Sequence, residues 1–170
     1  MNSNKNIVLV GMMGSGKSTI GSLLSIKLGA KYLDVDTILE NEEGTKISEI
    51  FEKKGEKYFR KLEEKISISL LKSKRNVISL GGGGFLNDKV RIEILNNHFS
   101  FWLNWNNSTI INRIKKSKKR PVTLNLNENE IKKLIIERSK IYSLANFKIN
   151  CENLSKNEII EKIINLYENH

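Results

Sequence analysis

The chain has 170 residues, of which 39% are hydrophobic and 28% charged, so it suits one domain with a real core and excludes a disordered polymer. Its net charge of +10, from 29 Lys and Arg against 19 Asp and Glu, admits anionic partners such as nucleotides, phosphorylated metabolites, nucleic acid or acidic lipid. The single Cys151 excludes an intrachain disulfide framework and a Cys-rich zinc site, and His98 and His170 are too far apart for a histidine metal cage.

The first apolar run, Ile7–Val10, predicts a short strand that stops at Gly11. It is too short for a signal peptide, and no run is long enough to span a membrane, so the cytoplasm is the expected compartment. A glycine loop follows, then a helix over 18–28 and a second strand near 31–33. Residues 37–54 read as two short helices around Gly44. A longer helix over 56–72 carries Phe59, Leu62, Ile66 and Leu70 on one face. The third strand, 76–80, is stopped by four glycines. A helix over 88–96 precedes a fourth strand at 99–103, and another helix covers 107–115. Residues 116–127 are polar and irregular. A helix over 128–145, a last strand at 147–149 and a closing helix over 156–167 complete the pattern. Five strands alternating with helices indicate an α/β fold, a parallel sheet covered on both faces. No repeat or interdomain linker interrupts it.

Gly11, Gly16, Lys17 and Ser18 fit G-x-x-x-x-G-K-[ST] between a strand and a helix. Glycines let successive backbone N–H groups converge on the β- and γ-phosphates of a nucleoside triphosphate, and the helix starting near Lys17 adds its positive end. Lys17 would reach the phosphate oxygens, and the Ser18 hydroxyl would ligate Mg²⁺. The base-reading N-K-x-D and the D-x-x-G of regulatory GTPases are both absent. The strand that would carry a Walker B aspartate runs into Gly81, so Asp34 and Asp36 are the obvious metal-side carboxylates. This is the layout of a small-molecule kinase.

Beyond the loop, four further motifs follow in order: Asp34 and Asp36; G-E-x-x-F-R-x-x-E over 55–63; Gly81, Gly82 and Gly83; and Arg120 with Pro121, ahead of Arg138 and Tyr142. Together they resemble the shikimate kinase family over nearly the whole chain. The resemblance implies a P-loop kinase fold with strand order 2-3-1-4-5, an acceptor-binding insert at about 36–63 and a lid at about 116–128. It also implies transfer of the ATP γ-phosphoryl to the 3-hydroxyl of shikimate, with Mg²⁺ as cofactor and a monomer as the working form. ATP would lie on Gly14, Ser15, Gly16, Lys17, Ser18 and Thr19, with Arg113 against adenine and Arg120 closing from the lid. Arg60 and Arg138 would bind the shikimate carboxylate, a group that guanidinium forks suit. Asp36 would hold the acceptor hydroxyl as base or positioning group, Gly82 and Gly83 would bring backbone N–H groups close, and Asp34 would hold Mg²⁺ through water.

Plainer readings compete at each position. Arg60 could make a surface ion pair with Glu63 or Glu64, and Arg138 with Glu137 or Glu130. The four glycines could be a turn, and Asp34 a solvated loop residue. Trp102 reads as core and Trp105 as the loop after it, neither needing a function. The basic run 115–120 lacks interleaved aromatics, so it reads as a solvated face and not a nucleic-acid site. The segment 121–129 contains no glycine, and 150–153 lacks the basic residue that some family members place against adenine. Two rival functions remain at this point: another small-molecule kinase such as a gluconate kinase, and a non-enzymatic nucleotide-gated or RNA-binding protein.

Overall fold

The structure, a computed structural model, describes residues 4–116 and 126–170. Strand β1, Ile7–Val10, is buried along its whole length because it lies at the centre of the sheet and both its faces are covered. Its alternate side chains feed two separate apolar clusters. Val8 and Val10 join Leu39, Phe59, Phe85 and Tyr142 on one face, while Ile7 and Leu9 join Leu24, Phe101 and Ile163 on the other. Burying a side chain such as Leu9 is worth about 1.5–3 kcal/mol, so the central strand anchors both layers.

Strands β2 (Lys31–Asp34), β3 (Asn76–Ser79), β4 (Phe99–Asn104) and β5 (Phe147–Asn150) complete an all-parallel sheet in the order β2-β3-β1-β4-β5, as expected. Its register aligns Val8 with Ile78 and Ser100. Helices α1 (Lys17–Leu28) and α7 (Lys156–Glu168) cover the face that carries Ile7 and Leu9. Helices α2 (Val35–Glu43), α3 (Ile47–Leu71), α4 (Asp88–Asn97), α5 (Asn107–Lys116) and α6 (Glu128–Tyr142) contribute to the other. No helix among the described residues is long and apolar enough to cross a membrane.

Most boundaries shift by a residue and α6 ends at Tyr142, three residues early; two further differences bear on the site. The expected helices over 37–54 and 56–72 meet end to end, because α3 continues through Gly55, whose φ of 78° breaks its axis. The first of the pair begins at Val35, so Asp36 is a first-turn residue of α2 and not part of a loop. Both changes lie between β2 and β3, where α2 and α3 crowd over the carboxyl end of the sheet. Ligands of open α/β sheets bind at that end. Most of the expected lid, including Arg120, lies outside the described residues. Its downstream border is firm, since Asn127 and Glu130 form a capping box at the start of α6.

Candidate active site

The loop between β1 and α1 turns on Gly11, Gly14 and Gly16, all with positive φ, of which Gly16 (φ 89°) is the N-cap of α1. A side chain at any of them would be strained, so the sequence spacing is a backbone requirement. Lys17 folds back over the loop and donates from Nζ to Gly11 O at 2.7 Å and Met12 O at 2.9 Å. A cavity of about 230 Å³ opens beside it, lined by Gly14, Gly16, Lys17, Ser18, Thr19, Asp34 and Asp36. On its rim the Ser18 hydroxyl donates to Asp34 Oδ2 at 2.8 Å. Tyr32 donates to the same oxygen at 2.8 Å, and Asp34 Oδ1 accepts from Thr37 N as the N-cap of α2. Asp34 is therefore a fixed group and not a solvated loop residue.

Asp36 also lines a second cleft, with Met13, Phe51, Phe59, Arg60, Glu63, Gly82, Gly83 and Arg138. Arg60 donates from Nη1 to Glu63 Oε2 at 2.6 Å and from Nε and Nη2 to Glu56 Oε1 at 3.2 and 3.1 Å. The Glu63 pair exists, but it is not the surface pair the sequence allowed: the Glu63 side chain is only 5% exposed. Burial raises the Glu63 pKa, against the opposing pull of Arg60, and the nearby Asp36 carboxylate adds to the rise. Its Oε1 has no hydrogen-bond donor among the described residues. Glu64, by contrast, faces out to Asn87 and Lys89. From the opposite side Arg138, buried on α6, donates to Gly82 O at 3.3 Å. Neither Glu137 nor Glu130 holds it, since Glu130 is used in the capping box. Tyr142 donates to the same Gly82 carbonyl, and burial pushes its phenol up to about 12. A Cβ at Gly83 would collide with the Arg60 guanidinium, so the glycines are more than a turn.

These clefts adjoin at Asp36, so the glycine-loop cavity and a cleft carrying Arg60 and Arg138 share one carboxylate. Comparison with known proteins identifies the family. The family model described as shikimate kinase matches residues 13–168. This chain belongs to the shikimate kinase family. A shikimate kinase from Persephonella marina is 42% identical over 160 residues, covering 94% of this chain and 97% of that one. The solved shikimate kinase from Acinetobacter baumannii in complex with shikimate superposes with a TM-score of 0.92 at 30% identity, covering 98% of this chain and 94% of that one. The shikimate kinase from Aquifex aeolicus gives a TM-score of 0.86 at 40% identity, over 96% of each chain. The chain is a kinase of the shikimate kinase family, which sets aside the gluconate-kinase and non-enzymatic readings.

Within this family framework, Asp36, Arg60, Gly82, Gly83 and Arg138 all fall in one cleft, and the predicted ATP residues from Gly14 to Thr19 in or beside the other. Arg113 lies near the loop, donating to Gly14 O at 3.2 Å. Arg120 lies outside the described residues. Three residues that touch the site stood outside the candidate set, Glu63 having been read only as a motif residue and a surface partner of Arg60. Glu63 shares a helical stripe with Phe59 and Ile66, a spacing that could have marked it as inward-facing. Tyr32 shares a strand face with Asp34, two residues on. Trp105, set down as needing no function, donates from Nε1 to Ser15 O at 2.9 Å.

Proposed function

We propose that this chain catalyses ATP-dependent phosphorylation of the 3-hydroxyl of shikimate, a step toward chorismate and the aromatic amino acids, with the residues named above in the roles their positions suit. The observation that carries the assignment is the convergence of Asp36, Arg60 and Arg138 on one cleft that meets the phosphate-binding cavity at Asp36.

In this reading Lys17 and the backbone N–H groups from Gly14 to Thr19 hold the ATP phosphates. Arg113 packs against adenine. Arg60 and Arg138 clamp the shikimate carboxylate from two sides, and Gly82 and Gly83 let the ring approach the backbone. Asp36 accepts from the 3-hydroxyl, orienting it in line with the γ-phosphoryl and taking its proton as the new P–O bond forms. Arg120 belongs to the lid that excludes water and stabilises charge on the transferring group.

The Ser18 hydroxyl and the Asp34 carboxylate are hard oxygen donors set side by side, which fits Mg²⁺, an ion that uses one or two protein oxygens and fills its remaining sites with water and phosphate. When bound, Mg²⁺ would neutralise charge on the β- and γ-phosphate oxygens. Asp34 is held by Tyr32 and the α2 N-terminus, so it is oriented to hold the ion through water. The proposed working form is a monomer. The reaction uses small soluble substrates in the cytoplasm and needs no membrane or nucleic acid. The acceptor-binding insert at about 36–63 and the lid at about 116–128 are parts of one catalytic domain spanning residues 1–170. A coupled ADP-release assay with shikimate, gluconate and nucleoside monophosphates tests the assignment. Turnover confined to shikimate is expected, and a faster rate with either alternative acceptor refutes it.

A further inference from the structure

Trp105 follows β4 into the loop before α5, and the reaction as set out above does not use it. Its indole touches two parts of the nucleotide side at once. Nε1–H donates to Ser15 O in the P-loop at 2.9 Å. The Arg113 guanidinium lies over its ring, 3.8 Å from the centroid. Arg113 closes the set by donating from Nη1 to Gly14 O at 3.2 Å. Two successive P-loop carbonyls are thus held by one indole and the arginine that stacks on it.

We propose that Trp105 is a positioning residue for the nucleotide, bracing the P-loop through its N–H and the base-side arginine through its ring. The proposal rests on the reading of this loop as the ATP site. In a trans peptide the C=O and the following N–H point in opposite directions. The Trp105 bond that pins Ser15 O therefore also fixes the direction of Gly16 N–H, one of the loop donors that serve the phosphates. At the other end, a guanidinium is planar and has two faces. The indole covers one face of Arg113 and leaves the opposite face for a base. Stacking restrains a long side chain before the nucleotide arrives, so less freedom is lost on binding. An indole supplies both a ring face and an in-plane donor; Phe and Leu cannot. Trp102, the fourth residue of β4, packs in the core.

The test uses two variants of the full chain. Trp105→Phe keeps a ring for Arg113 and removes the N–H, whereas Trp105→Leu removes both. Calorimetry with Mg·ADP alone should show affinity weakened about three- to tenfold in Trp105→Phe and further in Trp105→Leu, with shikimate affinity within about twofold of the parent. The KM for ATP should rise more than kcat falls. ADP should also change the tryptophan emission of the parent, and that change should vanish in Trp105→Phe, where Trp102 is the only tryptophan left. Unchanged ADP affinity in either folded variant, or equal losses for ADP and shikimate, overturns the proposal and leaves Trp105 a packing residue. Should Trp105→Leu not fold, Trp105→Phe decides alone. Arg113→Met separates the two levels. If it weakens ADP while both Trp105 variants do not, the base-side reading stands and the role of Trp105 falls. If Lys17→Met also leaves ADP affinity intact, the nucleotide site itself has been misplaced.

Discussion

Arg60 pairs with a buried carboxylate and, in the proposed function, also binds the substrate, so Arg60→Ala should fail in two separable ways. Its side chain is 30% exposed, but its partner Glu63 is 5% exposed. Breaking a fully buried pair costs about 3–5 kcal/mol and an exposed one about 0–1, which puts this half-exposed pair at about 2–3 kcal/mol. For a chain of this length that lowers Tm by about 5–10 °C. The loss should depend on pH. Burial already raises the Glu63 pKa, and removing Arg60 removes the main opposing influence, so the folded-state value climbs further. A group with a raised folded pKa stabilises fully below its unfolded value and loses that contribution as pH rises through the folded one. The variant should therefore be closest to the parent at acid pH, below the ordinary carboxylate range, and fall behind as pH rises above it. Adding Glu63→Gln should restore most of the stability and flatten the pH dependence. It should not restore binding. With Arg138 alone to hold its carboxylate, shikimate should bind about 100-fold more weakly, a loss of about 3 kcal/mol. Thermal melts across pH and separate calorimetry with shikimate and Mg·ADP read both effects. A pH-independent loss of Tm refutes the Glu63 account, and equal losses for both ligands make Arg60 a structural residue.

Lys17→Met should reduce turnover by about 10³-fold or more while the protein remains folded, because the ammonium acts on phosphate charge; near-normal turnover in the coupled assay sinks the P-loop assignment. Asp36→Asn should lower kcat by about 10²-fold, near the small end for a base in phosphoryl transfer, with shikimate still bound. Asp34→Asn should instead recover activity as Mg²⁺ is raised, and rescue of the Asp36 variant in its place would mean the two roles are reversed. Gly83→Ala should raise the KM for shikimate more than that for ATP, since the added methyl displaces the Arg60 guanidinium; a parallel rise in both points to general misfolding of the loop.

The strands were legible because β1, β3 and β4, buried on both faces, centre on short β-branched or aromatic stretches, and the phosphate loop because its glycines sit where only positive φ will serve. The helix ends between β2 and β3 were less so. Gly55 reads as a stop, yet α3 resumes at once on its far side, and packing of Ile50, Phe59 and Ile66 holds the two halves together. Arg60 and Arg138 lie on different helices, and no local pattern joins them; only the resemblance did. The burial of Glu63 was within reach, since it shares its stripe with Phe59 and Ile66, but Glu64 beside it has the same chemistry and points to water. Trp105 carries no such signal. It stands in a loop, where neither helical nor strand periodicity says what an indole will touch.

The D-x-D pair shows how the fold gives the two carboxylates of a short motif different surroundings. On a strand, residues two apart share a face, and Asp34 and Asp36 would compete for one site. Here the strand ends at Asp34 and the helix begins at Val35, which is fully buried and locks the change of direction. Asp34 becomes the N-cap, drawn back by Thr37 N and fixed against Ser18 and Tyr32. Each helical residue advances about 100° around the axis, so the next-but-one side chain leaves in a very different direction. Asp36 accordingly reaches the cleft of Arg60 and Arg138 while Asp34 stays with the phosphate loop. In the proposed function one carboxylate serves the metal and the other the acceptor hydroxyl, and the place where β2 becomes α2 is what sets them apart.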